Sequence, residues 1–130
     1  ILSQLIEQLD LKDRVHLIGY KKNIFNYLYN AQGFILTSKW EDPGFVLIEA
    51  AVCRIPILSS NCPNGPKEFL EDGKFGILFN NNDKNDLINK MNNFFELNSK
   101  EINRMRLGAL KNTKQYTIFA HACNLSMHLK

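Results

Sequence analysis

Residues 33–60 read GFILTSKWEDPGFVLIEAAVCRIPILSS. The two ends, GFILTS and IPILSS, are continuous apolar runs of the kind found in strands buried on both faces. Between them Pro43 and Gly44 break the chain, and residues 45–53 are apolar nearly all round, as in a helix enclosed on most sides. Two buried strands joined through a helix require a crossover, and crossovers that place helices on the sheet faces produce parallel pairing. One feature of the stretch resists that packing: Glu49 stands alone in an apolar run, and Glu41 precedes the Pro-Gly break. A carboxylate in such surroundings is costly without a partner.

The alternation extends both ways. Upstream, Leu2, Leu5, Ile6 and Leu9 have helical spacing up to about Leu11, RVHLIGY offers a short strand over residues 15–18 stopped by Gly19, and NIFNYLYNAQ restores helical spacing through Ile24, Tyr27 and Leu28. Downstream, NGPKEFLEDG reads as a short helix with Pro66 in its first turn and Gly73 past its end, and KFGILFN as a fourth strand. The Asn-rich residues 80–86 are a surface loop in which Asp83 caps the next helix. Helical patterns then cover residues 83–97, 99–112 and 116–129. The fold expected is an α/β Rossmann-like sandwich, a parallel sheet flanked by helices. Ligands in such sheets sit at the carboxyl ends of the strands, which directs attention to the loop after Leu36.

A chain of 130 residues suits one domain, and its 45% apolar and 22% charged content is that of a folded globular piece. Because it opens on Ile1 inside a helical pattern, a domain cut from a longer protein is expected. Lys and Arg number 16 against 13 Asp and Glu, a net +3, scattered rather than striped, which argues against a nucleic-acid face. Cys53, Cys62 and Cys123 are odd in number and lack metal spacing, which favours a reducing, cytoplasmic setting, with Cys53 and Cys62 as small apolar fillers. No apolar run reaches the roughly 18 residues of a membrane span and no signal peptide is visible; peripheral association of a longer parent with the inner face of a membrane stays open. His16, His121 and His128 are dispersed, and neither a P-loop nor a nucleophile elbow occurs, so no metal is expected.

Glu41 and Glu49 cannot share one helix across Pro43-Gly44, so Glu41 belongs to a loop and Glu49 lies one turn into the helix, stacked with Phe45 and with Val52 or Cys53. Between them the first amides of that helix, at Phe45, Val46 and Leu47, favour an anion through their donors and the helix dipole. Carboxylates accept hydrogen bonds from sugar hydroxyls and repel phosphate. The arrangement suits a molecule with hydroxyl-rich ends and an anionic middle, the shape of a sugar nucleotide. The ordinary reading, Glu41 as a solvated loop residue and Glu49 facing water, is equally compatible with the spacing. Trp40 reads either as a sugar platform or as plain packing, and Lys67 as a solvated residue or a phosphate contact.

The pattern S-x-x-E-x-x-G-F-x-L-x-E-A, followed by PILSS and NGPKEFLEDGKFGILF, closely resembles the carboxyl-terminal, donor-binding domain of retaining glycosyltransferases of the GT-B architecture, specifically glycosyltransferase family 4. That family carries a Glu, seven residues, Glu motif, matched here by Glu41 and Glu49. Gly44 and Phe45, the Pro56 strand, the Gly65-Pro66 turn with Glu68, and Asp72-Gly73 with Gly76 also match, as do RVHLIGY and YNAQGFILTS. Residues 11–80 carry the likeness, and the last stretch matches only as generic helices.

The resemblance implies a hexosyltransferase parent that moves a sugar from a nucleotide-sugar to a glycan or lipid-linked acceptor, building a surface glycan or similar polysaccharide. It implies no metal cofactor and no catalytic nucleophile, because retention in the family is thought to proceed by front-face attack with the leaving diphosphate as base. Glu41 would lie nearest the transferred sugar, the amides around Gly44 and Phe45 would bond its hydroxyls, those of Val46 and Leu47 would approach the diphosphate, and Glu49 would hold the ribose. Gly19 and Tyr20 match the turn where the base docks. The family's Arg and Lys that grip the diphosphate, its first strands and its acceptor domain are expected upstream of Ile1, so residues 1–130 alone are expected to bind donor weakly and transfer nothing. Arg54 stands where the family often has Gly, a departure expected to alter a helix end. The alternative is a noncatalytic Rossmann-like module for nucleotide binding or protein interaction.

Overall fold

A computed structural model describes residues 1–128. Its sheet has three parallel strands in the order β1 (Phe34–Leu36), β2 (Ile57–Ser60) and β3 (Ile77–Phe79). Leu36 pairs with Ser59, and Ser60 with Phe79, so the three carboxyl ends finish side by side. β2 is the central strand, and all four of its residues are buried.

The helices are α1 (Leu2–Gln8), α2 (Phe25–Leu28), α3 (Phe45–Val52), α4 (Pro66–Phe69), α5 (Lys84–Glu96), α6 (Ser99–Asn112) and, after a 3₁₀ turn at Thr113–Tyr116, α7 (Ile118–His128). Leu47, Ala50 and Ala51 of α3 are buried in the cluster that also holds Leu28, Ile55, Ile57, Phe69, Leu70 and Ala109. The small Ala50, Ala51 and Ala109 let helix, sheet and neighbouring helix approach closely. Leu47, Ile57 and Leu70 are at most 1% exposed, each worth about 1.5–3 kcal/mol of apolar transfer. Asn112, buried at the end of α6, donates from Nδ2 to the Phe69 carbonyl at 2.9 Å and so ties α6 to α4.

Local signals place the helix ends. Asp83 caps α5 by accepting from the Asn85 and Asp86 amides, each at 3.0 Å. α6 opens with a capping box between Asn98 and Glu101. α3 closes on two reverse-turn bonds, Arg54 N–H to the Ala51 carbonyl at 2.9 Å and Ile55 N–H to the Ala50 carbonyl at 3.2 Å, with Ile55 buried beyond the turn. This is the Schellman arrangement, and it puts Arg54 at the left-handed position with φ 57°. The departure from Gly at Arg54 therefore falls at a helix end, as its place in the sequence suggests.

Three expectations are corrected. Residues 15–18 form no strand: the Val15 amide closes a turn onto the Leu11 carbonyl at 2.8 Å, and Leu17 and Ile18 are exposed. A strand exists only through a neighbour's hydrogen bonds, and none of the three paired strands offers these residues one. The helix through Ile24 and Leu28 shrinks to the four residues of α2, because Asn and aromatic residues are weak helix formers and the segment has little buried face. The last expected helix begins at Ile118 rather than at Tyr116, and its expected end at Leu129 lies outside the described residues. Among the described residues no helix is long and apolar enough to cross a membrane.

An L-residue at the left-handed closing position of α3 carries a steric cost that glycine avoids. Arg54→Gly is expected to raise unfolding stability by about 0.5–1 kcal/mol, read as an upward shift of the urea midpoint with unchanged slope.

Candidate functional site

The site is built where the chain leaves β1. Residues 37–44 pass over the carboxyl edge of the sheet, and Gly44 turns the chain into α3 from a left-handed conformation, φ 78° and ψ 50°. A Cβ there would lie 3.6 Å from both Cβ and Cγ of Glu41 and 3.5 Å from Leu47 Cδ1. The Glu41 side chain is thus folded back against the cap of α3. Glycine is required at position 44 by the backbone angle rather than by space, since those contacts are ordinary ones.

No side chain caps α3 and no acidic residue stands in its first turn. The amides of Phe45 and Val46 take no backbone hydrogen bond among the described residues. Leu47 departs from the sequence reading, which counts its amide as free: its N–H donates to the Gly44 carbonyl at 2.9 Å, tightening the first turn, while its side chain is fully buried. Phe45 is 62% exposed, so the face at this helix start is open to a ligand.

Glu49 follows one turn into α3 and is half-buried. Neither it nor Glu41 enters an ion pair among the described residues. Glu49 is close enough to Cys53, one turn on, to act on its thiol. Burial pushes the Cys53 thiol up, a hydrogen bond with Tyr29 opposes the rise, and the Glu49 charge adds to it. The stack of Glu49 on Cys53 is the one expected from helical spacing.

The loop after β2 forms the adjoining wall. The Glu41 amide donates to the Pro63 carbonyl at 3.4 Å, and Gly65, at φ 126°, lies so close that a Cβ would come within 2.3 Å of the Pro43 carbonyl oxygen. Beyond this wall opens a cavity of about 530 Å³ lined by Asn61, Cys62, Pro63, Asn64, Gly65, Lys67, Glu68 and Asp72. Neither glutamate lines it. Lys67 pairs with Asp72 at 3.2 Å with both side chains largely exposed. Glu68 stands near Tyr116, whose phenol is pushed up by burial first and by the Glu68 charge second, and whose ring packs edge-on to Phe69 at 5.5 Å between centroids.

Trp40 is 62% exposed, and Tyr20 is 93% exposed beside a Gly19 with open space around it. The Gly19–Tyr20 turn has no packing role among the described residues. Sequence reasoning did not single out Ser60, Asn81 or Gly65 as parts of the Glu41 loop's support. Only Gly65 carried a signal, its place in a Gly-Pro turn.

A parallel sheet with a glycine-turned helix start at its carboxyl edge belongs to the class of α/β domains whose ligands sit at that edge. The sequence pattern of the Glycosyl transferases group 1 family matches residues 2–114, and the chain belongs to that family. It is 31% identical over 90 residues to the poly(ribitol-phosphate) alpha-N-acetylglucosaminyltransferase of Staphylococcus aureus, a match covering 69% of this chain and 18% of that protein. An uncharacterized glycosyltransferase of Methanocaldococcus jannaschii is 38% identical over 90 residues, covering 59% of this chain and 22% of that one. The chain therefore spans about a fifth of the length of these relatives. Among solved structures, S. aureus TarM in complex with fondaparinux, alpha-GlcNAc-glycerol and UDP superposes with a TM-score of 0.78 at 27% identity, covering 89% of this chain and 24% of that one. Anabaena HepE in complex with UDP superposes with a TM-score of 0.84 at 23% identity, covering 98% of this chain and 35% of that one, a likeness of fold.

Burial both shields the Cys53 thiol and keeps it protonated, whereas Cys123 is exposed. Iodoacetamide at pH 8 is expected to modify Cys123 first, with Cys53 and Cys62 at least about tenfold slower until the fold opens, as peptide mass mapping over time would show.

Proposed function

We propose that this chain is the donor-binding part of a retaining glycosyltransferase, whose parent is a hexosyltransferase moving a sugar from a nucleotide-sugar to a glycan or lipid-linked acceptor. The observation that carries the reading is the packing of Glu41 against the left-handed cap of α3, beside the unengaged Phe45 and Val46 amides, with Glu49 one turn further in. Acceptors stand on either side of a short row of donors, which matches sugar hydroxyls, a diphosphate and ribose hydroxyls in that order. The UDP held by TarM supports a nucleoside diphosphate as the core of the ligand.

On this reading Glu41 orients the transferred sugar, with backbone groups around Gly44 and Phe45 bonding its hydroxyls. The first-turn amides of α3 stabilise the charge that develops on the departing diphosphate. Val46 contributes a free N–H; Leu47 contributes mainly by fixing the turn, since its own N–H is already engaged. Glu49 accepts from the ribose, and the Gly19–Tyr20 turn meets the base. The protein's part is orientation and electrostatics, with the leaving diphosphate as the base and no metal in the scheme. The parent acts in the cytoplasm, against the inner face of a membrane where its acceptor is lipid-linked.

Because no ion-pair partner holds the Glu49 carboxylate among the described residues, Glu49→Gln is expected to change stability by less than about 0.5 kcal/mol while weakening nucleotide binding roughly tenfold or more. Ligand-observed NMR with a panel of nucleoside diphosphates and nucleotide-sugars on this chain, beside thermal melts, measures both. The parent enzyme carrying Glu49→Gln should lose transferase activity to a similar degree. No binding of any nucleotide at millimolar concentration, together with undiminished parent activity in the variant, would overturn the reading and leave the noncatalytic module.

A further inference from the structure

The loop that carries Glu41 is held along its backbone by side chains at or just beyond the ends of the two strands that do not bear it. Ser60, at the end of β2 and 1% exposed, donates from Oγ to the Ser38 carbonyl at 2.5 Å. Asn81, just beyond β3 and partly buried, donates from Nδ2 to the Lys39 carbonyl at 2.9 Å. Two residues on, the Glu41 amide is fastened to the Pro63 carbonyl, and Gly65 leaves just enough room for Pro43. From Ser38 to Glu41 the loop is thus held by three hydrogen bonds, from the end of β2 and from the loops after β2 and β3, with Gly65 packed close against Pro43. The Asn81 contact spans 42 positions in sequence and joins the outer strands across the sheet edge.

We propose that Asn81, with Ser60, is a positioning residue for Glu41: by holding the Lys39 and Ser38 carbonyls it keeps the loop folded so that Glu41 lies against the Gly44 cap. Asn81 touches no atom of the donor in this scheme. It acts on the end of the ligand that Glu41 reads, the transferred sugar, and leaves the ribose end at Glu49 alone. The inference rests on the donor-binding reading for its consequence in ligand recognition, while its mechanical part stands on this chain only.

Trp40, the single Trp of the chain, sits between the anchored Lys39 and Glu41 and reports on the loop without any ligand. The test compares the wild-type chain with Asn81→Ala and with Asn81→Asp, which keeps the size but removes the donor. Both variants are expected to keep the melting transition, to lower Trp40 fluorescence anisotropy and to raise acrylamide quenching. Loss of one hydrogen bond of this kind should then weaken nucleotide-sugar binding about fivefold, while binding of the bare nucleoside diphosphate, here UDP beside UDP-glucose as probes, shifts less than about twofold. Unchanged Trp40 anisotropy in both variants overturns the proposal, whatever binds. An equal loss for UDP and UDP-glucose also overturns it, since Asn81 would then support the whole site rather than the sugar end. Binding of neither probe to the wild type, with a mobile Trp40 in the variants, leaves the loop anchor standing and counts instead against the donor-binding reading.

Discussion

Parallel pairing of β2 with a neighbour on each side is the constraint from which the rest of the molecule follows. A central strand gives all its backbone donors and acceptors to its neighbours and exposes neither face, so Ile57 and Leu58 must be apolar and both sheet faces must be covered. α3 covers one of them with Leu47, Ala50 and Ala51. Because the strands run the same way in close register, their carboxyl ends open onto one edge, and three loops with no neighbours in sequence are forced together there.

The candidate site is a product of that convergence. Glu41 takes its place from the cap of α3 on one side and from the loop after β2 on the other, and the backbone before it is held by the ends of β2 and β3. Glu49 takes its place from helical geometry alone. The two carboxylates are thus fixed by different physics: one by a rigid helix, the other by a loop whose shape is borrowed from its neighbours. Such loops are where α/β folds vary recognition while the sheet stays constant.

The alternation of buried strands and helices was legible because a continuous apolar run and an apolar helix leave different marks on composition and length. The cap at Asp83 and the glycine at position 44 were legible for a similar reason, since each satisfies a local backbone demand. Residues 15–18 misled because their β-rich composition describes a preference, whereas a strand needs a partner's hydrogen bonds. α2 misled because periodicity without a buried face cannot sustain a helix. Leu47 misled in a smaller way: the first turn of α3 tightened, and an amide counted as free found the Gly44 carbonyl.

Sequence by itself determined the fold class, the family to which the chain belongs, and the identity and spacing of Glu41, Gly44 and Glu49, because these rest on patterns of a few neighbouring residues. Only the tertiary structure decided which distant residues support them. That Asn81 meets the Lys39 carbonyl, Ser60 the Ser38 carbonyl and Gly65 the Pro43 carbonyl depends on strand order and register. Those are set by long-range packing and hydrogen bonding, which no local run of residues encodes.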